Sequence, residues 1–134
     1  MIRIQEEPLD VEELIRATRN AEAGAIVTFQ GTVRKHSGSI EVTSLIYESY
    51  KEMALNAIHA IVDEAMERYG VLDVNVVHRI GLVSIKEDSV AISVSSAHRR
   101  EAFEACEYII DSIKKKVPIW KKDVKPDGEA KWRD

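Results

Sequence analysis

Apolar residues recur at helical spacing between Lys51 and Tyr69, and this run is the longest amphipathic helix that the sequence predicts. Gly70 ends the run, because glycine readily adopts the left-handed conformation that stops a helix. A helix with a single apolar stripe is stable in water only when that stripe is buried against another element. The stripe consists of Ala54, Ala57, Ile58, Ile61, Ala65 and Met66.

Two further helices are predicted. One covers residues 10–22, where Asp10 can cap the helix and Glu13 completes the spacing of a capping box. The other covers residues 98–116, and Pro118 forbids its continuation because proline lacks a backbone N–H and clashes with the preceding turn. Its apolar stripe contains Ala102, Phe103, Cys106, Ile109, Ile110 and Ile113.

Runs of β-branched and alternating residues predict four longer strands and at most one short strand near the C-terminus. The four are AIVTFQGTVR, VTSLIYESY, LDVNVVHRIGLVSI and SVAISVSSA. The last two are joined by the short polar turn KED, so we expect them to form a hairpin. With a further strand before the first helix, the predicted order is β-α-β-β-α-β-β-α-β. This order predicts one α+β domain over residues 1–134, in which the helices cover one face of a mostly antiparallel sheet.

Length and composition narrow the class of protein. A chain of 134 residues is the size of one ordinary domain. Its net charge of −4 argues against nonspecific nucleic-acid binding as the main activity, since that needs a broad basic surface. No apolar run is long enough to span a bilayer. The N-terminus MIRIQEEPLD has neither the apolar segment of a secretory signal nor the bias of a transit peptide, so we expect a cytoplasmic protein.

Cysteine and histidine usage predicts no metal centre. Cys106 is the only cysteine, so the chain can form neither an internal disulfide nor a cysteine-based metal cluster. Its place on or beside an apolar helix face is typical of a small buried hydrophobe. His36 and His59 have simple interpretations as exposed side chains, while His78 is either half-buried or lines a cleft. The four histidines are not arranged at a metal-ligand spacing.

The segment SSAHRR places three potential cations at the start of a helix. Helix N-termini carry partial positive charge and unpaired amide donors, so acidic residues usually stabilise them. His98, Arg99 and Arg100 therefore indicate an anion such as a phosphate or a carboxylate among them. The alternative is that Glu101 and Glu104 neutralise the arginines on a solvated first turn.

Arg34 is a second candidate, at the end of a strand and before a polar loop. Binding residues favour such loop edges, although an arginine at the end of a strand is more often an ordinary surface residue. Gly31, three residues earlier, indicates either a β-bulge or a close backbone approach by a ligand.

The segment SIKKKVPIWKKD carries five lysines. Lys115 and Lys116 are sufficiently explained as cations that stabilise the negative end of a helix dipole. Lys114 lies at the border of the buried stripe, where its amine can point into a groove. Lys121 follows Trp120, and strand alternation directs one of the two inward and the other outward. A lysine in a partly desolvated, cation-rich site has a lowered pKa and can act as an acid, a base or a nucleophile.

Taken together and in this order, six segments closely resemble the large, catalytic subunit of molybdopterin synthase. The resemblance covers nearly the whole chain, and its specificity comes from six motifs in register. The segments are GAIVTFQGTVR, LIYESYKEMA, HRIG, SSAHRREAFEA, DSIKKKVPIWKKD and DGEAKW.

The resemblance implies an α/β hammerhead-type fold and a role in molybdenum cofactor biosynthesis. Such an enzyme converts cyclic pyranopterin monophosphate to molybdopterin by adding two dithiolene sulfurs, with neither a metal nor another cofactor. The sulfur comes from a small ubiquitin-like subunit whose C-terminal Gly-Gly ends as a thiocarboxylate. Two catalytic subunits form a central homodimer, and two small subunits complete a heterotetramer.

The resemblance also implies roles for individual residues. Arg34, His98 and Arg99 would bind the phosphate of the pterin, while Lys114 and Lys121 would lie at the catalytic centre beside the inserted tail. The same pocket would be lined by Thr32, Val33, Lys122 and Asp123.

Two other functions fit the same cations. A noncatalytic phosphate- or nucleotide-binding module would bind an anion and ignore an inserted peptide tail. A subunit that had lost catalysis would bind its protein partner alone, and the retained lysines argue against it.

Overall fold

The computed structural model describes residues 1–133, which form two four-stranded sheets, one two-stranded sheet and three helices. The helices are α1 (Val11–Thr18), α2 (Lys51–Tyr69) and α3 (Arg99–Lys116). The strands are β1 (Ile2–Gln5), β2 (Ala25–Thr32), β3 (His36–Ser37), β4 (Ile40–Glu41), β5 (Ser44–Ser49), β6 (Asp73–Arg79), β7 (Gly81–Ser84), β8 (Asp88–Ser96), β9 (Ile119–Val124) and β10 (Ala130–Trp132).

The first sheet has the strand order β1-β6-β8-β2, with β1 parallel to β6 and the other pairs antiparallel. Helices α2 and α3 pack together over one face of it and enclose the main core. Ile58 of α2, Ile109 of α3 and Ile92 of β8 are fully buried there. These two helices keep the bounds that their apolar periodicity predicts to within one residue.

Helix α1 lies on the opposite face of the same sheet. Leu14 packs against Val77 and Ala91, whose chain neighbours Val76 and Ile92 face α2 and α3. Successive strand residues point to opposite faces, so the sheet is covered on both. The α+β fold with mostly antiparallel sheets is confirmed, but the prediction that the helices share one face holds only for α2 and α3.

Helix α1 is also shorter than residues 10–22. Asp10 caps it as predicted, because its carboxylate accepts a hydrogen bond of 3.0 Å from the Glu13 backbone N–H. The helix ends at Thr18, and Arg19 is already extended. Asn20 then accepts a hydrogen bond from the backbone N–H two residues later, a local turn that competes with continued helix.

The second sheet has the order β10-β9-β5-β7 and is antiparallel throughout. It explains why the predicted strand 72–85 is not continuous. The chain leaves the first sheet after Arg79, and Gly81, with a φ of 86°, begins β7 in the second sheet. The hairpin prediction is therefore wrong for β7 and β8, which lie in different sheets, whereas β6 and β8 do pair antiparallel.

The structure also answers one sequence expectation about burial. Cys106 is buried in the main core, and this burial raises the pKa of its thiol to about 11, as expected of a packing residue. No helix within residues 1–133 is both long and apolar enough to cross a membrane.

Candidate active site

A cavity of about 550 Å³ opens where the end of α3 meets the two sheets. Its lining comes from β2, β5, β6, β8, α3 and β9, and from the chain segments that follow β2 and β10. Four cations contribute to the lining, together with a phenol and an imidazole. These polar residues are Arg34, Lys114, Lys121, Arg133, Tyr47 and His78.

Lys114 reaches the cavity because it lies at the border of the apolar stripe of α3. Ile110 and Ile113 lie four residues and one residue before it, and all three line the cavity. The turn at Pro118 then directs the chain into β9, where Lys121 pairs in register with Tyr47 of β5. Both residues of that pair line the cavity, so the turn brings Lys114 and Lys121 to one chamber.

Lys121 is electrostatically tuned by this chamber. Burial lowers the pKa of its amine below the usual 10.5, and repulsion from Arg133 and Lys114 lowers that pKa further. The nearby Asp123 carboxylate opposes this shift. A lysine of this kind gives up its proton more easily than an exposed one, so it is suited to proton transfer.

Thr32, Val33 and Arg34 line the cavity where β2 ends. The register of β2 against β8 shifts between Gly31 and Thr32, which confirms the predicted bulge. A side chain at Gly31 would place its Cβ 2.8 Å from a methyl carbon of Val90, so the close approach of β8 requires glycine.

Lys122 does not line the cavity, contrary to the expectation from resemblance. Alternation along β9 turns it outward, where its Nζ lies 3.5 Å from a Glu48 carboxylate oxygen. The same amine lies 4.2 Å from the centre of the Trp132 ring.

Asp123 also differs from that expectation, because it is buried and its carboxylate is engaged by Arg133. Arg133 Nε donates to Asp123 Oδ1 at 3.0 Å, and Arg133 Nη2 donates to the same oxygen. The backbone N–H of Arg133 donates to the Lys121 carbonyl at 2.8 Å. Asp123 therefore positions a fourth cavity cation instead of facing the cavity itself.

Sequence reasoning missed Arg133. Its neighbour Trp132 ends the last recognisable segment, and nothing local shows that β10 folds back on β9. The one available signal was the Pro-Asp-Gly turn at 126–128, which reverses the chain and returns a terminal cation to the strand that carries Lys121.

His78 and Tyr47 form the uncharged part of the lining. Their rings meet edge to face with centroids 5.3 Å apart. Burial lowers the pKa of His78 to about 4, so its ring is neutral at pH 7. Burial raises the pKa of Tyr47 above 10.0, with the neighbouring Ser89 hydroxyl opposing the shift. Of the two sequence interpretations of His78, lining a cleft is confirmed, and the side chain is buried as well.

His98 and Arg99 lie at the other end of α3, in a separate concavity with Gly24, Ala97 and Arg100. Helical rise separates Arg99 from Lys114 by about 22 Å along the axis. Arg100 pairs with Glu104 at 3.1 Å, as the solvated-turn interpretation predicts for that arginine.

Within residues 1–133, no group of three or more His, Cys, Asp or Glu side chains is placed to hold a metal ion. The chamber instead offers converging cations, a lysine with a lowered pKa and a neutral imidazole. Such a lining is suited to binding an anion and to stabilising negative charge that develops in a reaction, and the lowered pKa of Lys121 suits it to proton transfer.

The chain is similar to characterised proteins over nearly its full length. The family model described as MoaE protein matches residues 4–116. A relative from Thermoplasma volcanium, named molybdopterin synthase catalytic subunit, is 55% identical over 131 residues, which cover 98% of this chain and 96% of the relative.

The chain is also similar in fold to solved structures. The crystal structure of molybdopterin synthase from Staphylococcus aureus matches with a TM-score of 0.91 and 40% identity, covering 98% of this chain and 95% of that one. A chain from the protein–protein complex of subunits 1 and 2 of molybdopterin-converting factor from Helicobacter pylori matches with a TM-score of 0.81 and 25% identity. That match covers 99% of this chain and 90% of the other.

Proposed function

The chain belongs to the MoaE protein family, and on that premise we propose that it is the catalytic subunit of a molybdopterin synthase. It transfers sulfur from the thiocarboxylated C-terminus of a small ubiquitin-like subunit to cyclic pyranopterin monophosphate, and so forms the dithiolene of molybdopterin. The observation that carries the proposal is the convergence of Arg34, Lys114, Lys121 and Arg133 on one cavity.

In this proposal the four cations of the cavity have three different roles. Arg34 and Arg133 bind charged oxygens, since guanidinium groups form paired hydrogen bonds with phosphate and carboxylate. Lys114 stabilises the negative charge that develops at the reacting acyl and pterin carbons. Lys121, with its lowered pKa, donates and accepts protons at those atoms.

Each sulfur transfer balances without an oxidant or a reductant. The thiocarboxylate sulfur of the partner attacks a carbon of the pterin side chain and replaces an oxygen on that carbon. The C–O bond breaks, and the oxygen leaves with its electron pair, either as water after taking up a proton or as the freed phosphate oxygen. The two molecules are then joined through a thioester. Water then hydrolyses the thioester, leaves the sulfur on the pterin and releases the partner with an ordinary carboxylate. Two rounds supply the two sulfurs.

The positions of His98 and Arg99 support the homodimer in this proposal. One phosphate cannot contact both ends of α3 in a single chain, because about 22 Å separates them. A second copy would have to bring its own His98 and Arg99 to the cavity of the first. Two small subunits then complete a heterotetramer, for which we propose a cytoplasmic location.

Purified protein, mixed with the thiocarboxylated partner and cyclic pyranopterin monophosphate, should form a dithiolene. The two-chain cavity is tested by mixing inactive Lys114→Ala protein with inactive Arg99→Ala protein. Hybrid dimers would contain one intact cavity and recover part of the activity, whereas a mixture that stays inactive despite subunit exchange would contradict the shared site.

The noncatalytic phosphate- or nucleotide-binding module has no support among the matching proteins, which are named as catalytic subunits. Dithiolene formation by the purified protein would exclude it. Tight phosphate binding without any product, in the presence of an active partner, would favour it instead.

A further inference from the structure

His78 is a buried titratable residue that the proposed mechanism does not use. It is the sixth of the seven residues of β6, next to the point where the chain leaves the first sheet, and it is only 6% exposed. Its side chain nevertheless lines the cavity that holds the four cations. A buried imidazole is held in place by its contacts, so its two nitrogens have distinct roles.

The Nδ1 nitrogen is committed to the protein. It lies 2.8 Å from the carbonyl oxygen of Arg79. A carbonyl oxygen only accepts hydrogen bonds, so Nδ1 must carry the hydrogen and donate it. In a neutral ring the other nitrogen, Nε2, then presents a lone pair and accepts.

The structure records a hydrogen bond for Nδ1 of His78 and none for Nε2 within residues 1–133. The fully buried side-chain polar atoms that lack a partner in that part of the chain are Ser49 Oγ, Ser95 Oγ and a Glu101 carboxylate oxygen. Nε2 is not among these atoms, and the open space that His78 lines is the cavity.

The surroundings keep this acceptor uncharged and fixed. Burial and the nearby Lys121 amine both disfavour a second proton on the ring, which keeps its pKa at about 4. Tyr47 packs edge to face against it. In a chamber whose charged side chains are cations, the ring offers a neutral lone pair. An ionised carboxylate or phosphate diester has no hydrogen to donate to that lone pair.

We propose that His78 is a specificity-determining residue, whose Nε2 accepts a hydrogen bond from a ring N–H of the bound substrate. This inference rests on the proposed function and deepens it, because a reduced pterin carries several N–H donors on its fused rings. The arginines and lysines then hold the phosphate, while His78 distinguishes a nitrogen heterocycle from other phosphate esters.

Two substitutions separate this role from a purely structural one. His78→Asn retains an amide N–H near the position of Nδ1, so it can keep the bond to Arg79, but it has no group near Nε2. His78→Gln places an amide oxygen near the position of Nε2 and can restore the acceptor. His59→Asn is the matched control, because His59 is exposed on α2.

Binding is measured with cyclic pyranopterin monophosphate and, separately, with sulfate, an anion that has no hydrogen to donate at neutral pH. We expect His78→Asn to bind the substrate roughly tenfold more weakly, with the loss in KM more than in kcat and sulfate binding unchanged. His78→Gln should recover most of the affinity. Equal substrate binding by His78→Asn and the unsubstituted protein, or a parallel loss for sulfate, would overturn the inference.

Nitrogen NMR of the histidine-labelled protein tests it without a substitution. Nδ1 should carry the proton in the free protein, and the Nε2 resonance should shift on adding the substrate but not on adding sulfate. An Nε2 resonance unmoved by bound substrate would refute the role of His78. An unsubstituted protein that makes no dithiolene would instead refute the proposed function, so the two failures are distinguishable.

Discussion

The two ends of α3 carry similar numbers of basic residues in opposite electrostatic settings. At its end, Lys114, Lys115 and Lys116 meet the negative pole of the helix dipole, which stabilises the helix with no ligand present. At its start, His98 and Arg99 meet the positive pole, where a cation is unfavourable unless an anion compensates. At the start of α3, the unfavourable charge of these residues indicates a function. At the end of α3, charge alone indicates nothing, and only the direction of Lys114 into the cavity does.

The largest expected effect separates Lys114 from its neighbour. Lys114→Ala should slow dithiolene formation by roughly 100- to 1,000-fold, because it removes a preorganised charge beside the reacting atoms. Lys115→Ala is the matched control, since it lies on the same helical turn and does not line the cavity. Product formation is measured with the thiocarboxylated partner, and circular dichroism checks folding. Equal activity of the two variants would remove the role given to Lys114.

Acid should lower the stability of the folded chain, because His78 is buried uncharged beside the cavity at the end of α3. Its pKa is about 4 in the folded chain, whereas the ordinary value for a solvated histidine is 6.5, so between these values the unfolded chain binds a proton that the folded chain does not. The free energy of unfolding therefore falls as the pH falls through this window, by about 3 kcal/mol.

Urea unfolding at pH 7 and pH 4 measures this effect. The protein should lose more stability than His78→Asn over the same range, since carboxylates titrate equally in both. Parallel losses in the two proteins would show that the histidine is not held neutral by the fold.

Arg133 should contribute far more to anion binding than Lys131, a cation two positions earlier on β10. Arg133→Gln should weaken sulfate binding by roughly tenfold, because one charged hydrogen-bond donor leaves the cavity. It should also raise the pKa of Lys121 toward its usual value, since repulsion from Arg133 helps to lower it. Sulfate titration and lysine NMR measure the two changes.

Lys131→Gln removes the same charge from β10, but the amine of Lys131 is exposed and lies 3.6 Å from Glu129. It should leave sulfate binding within about twofold of the unsubstituted protein, as expected of a surface charge. Similar losses in both variants would mean that general electrostatics, and not the position of Arg133, hold the anion.

The smallest expected effect tests the dipole contrast itself. Arg99→Ala should raise the free energy of unfolding by about 0.5 kcal/mol, because a cation leaves the positive end of α3. Lys116→Ala should lower it by a similar amount at the other end. Thermal or urea unfolding without anions measures both, and a loss of stability in both variants would contradict the contrast.

Local patterns predict those parts of this structure that depend on neighbouring residues. Periodicity gives α2 and α3, and Pro118 explains why β9 turns back toward the end of α3. Gly31 marks the bulge that leads into Arg34. Each of these follows from backbone geometry within a few positions.

Local sequence patterns do not predict the features that depend on contacts between distant parts of the chain. The change of sheet after Arg79 depends on which strand β7 can pair with, and Arg133 depends on how β10 folds back. The separation of Arg99 from Lys114 was different, because the length of the predicted helix already contained it. The resemblance assigns Arg99 and Lys114 to one site, but the length of the helix that carries both keeps them apart within a single chain.

Strand β9 makes the site sensitive to the number of residues between α3 and β9. Ile119, Lys121 and Asp123 point inward, and the intervening side chains point outward. An insertion or deletion of one residue beside Pro118 would exchange the two sets, since strand alternation has a period of two. Lys121 would then face solvent and Arg133 would lose its carboxylate partner. We therefore expect the segment between α3 and β9 to tolerate changes of side chain far better than changes of length.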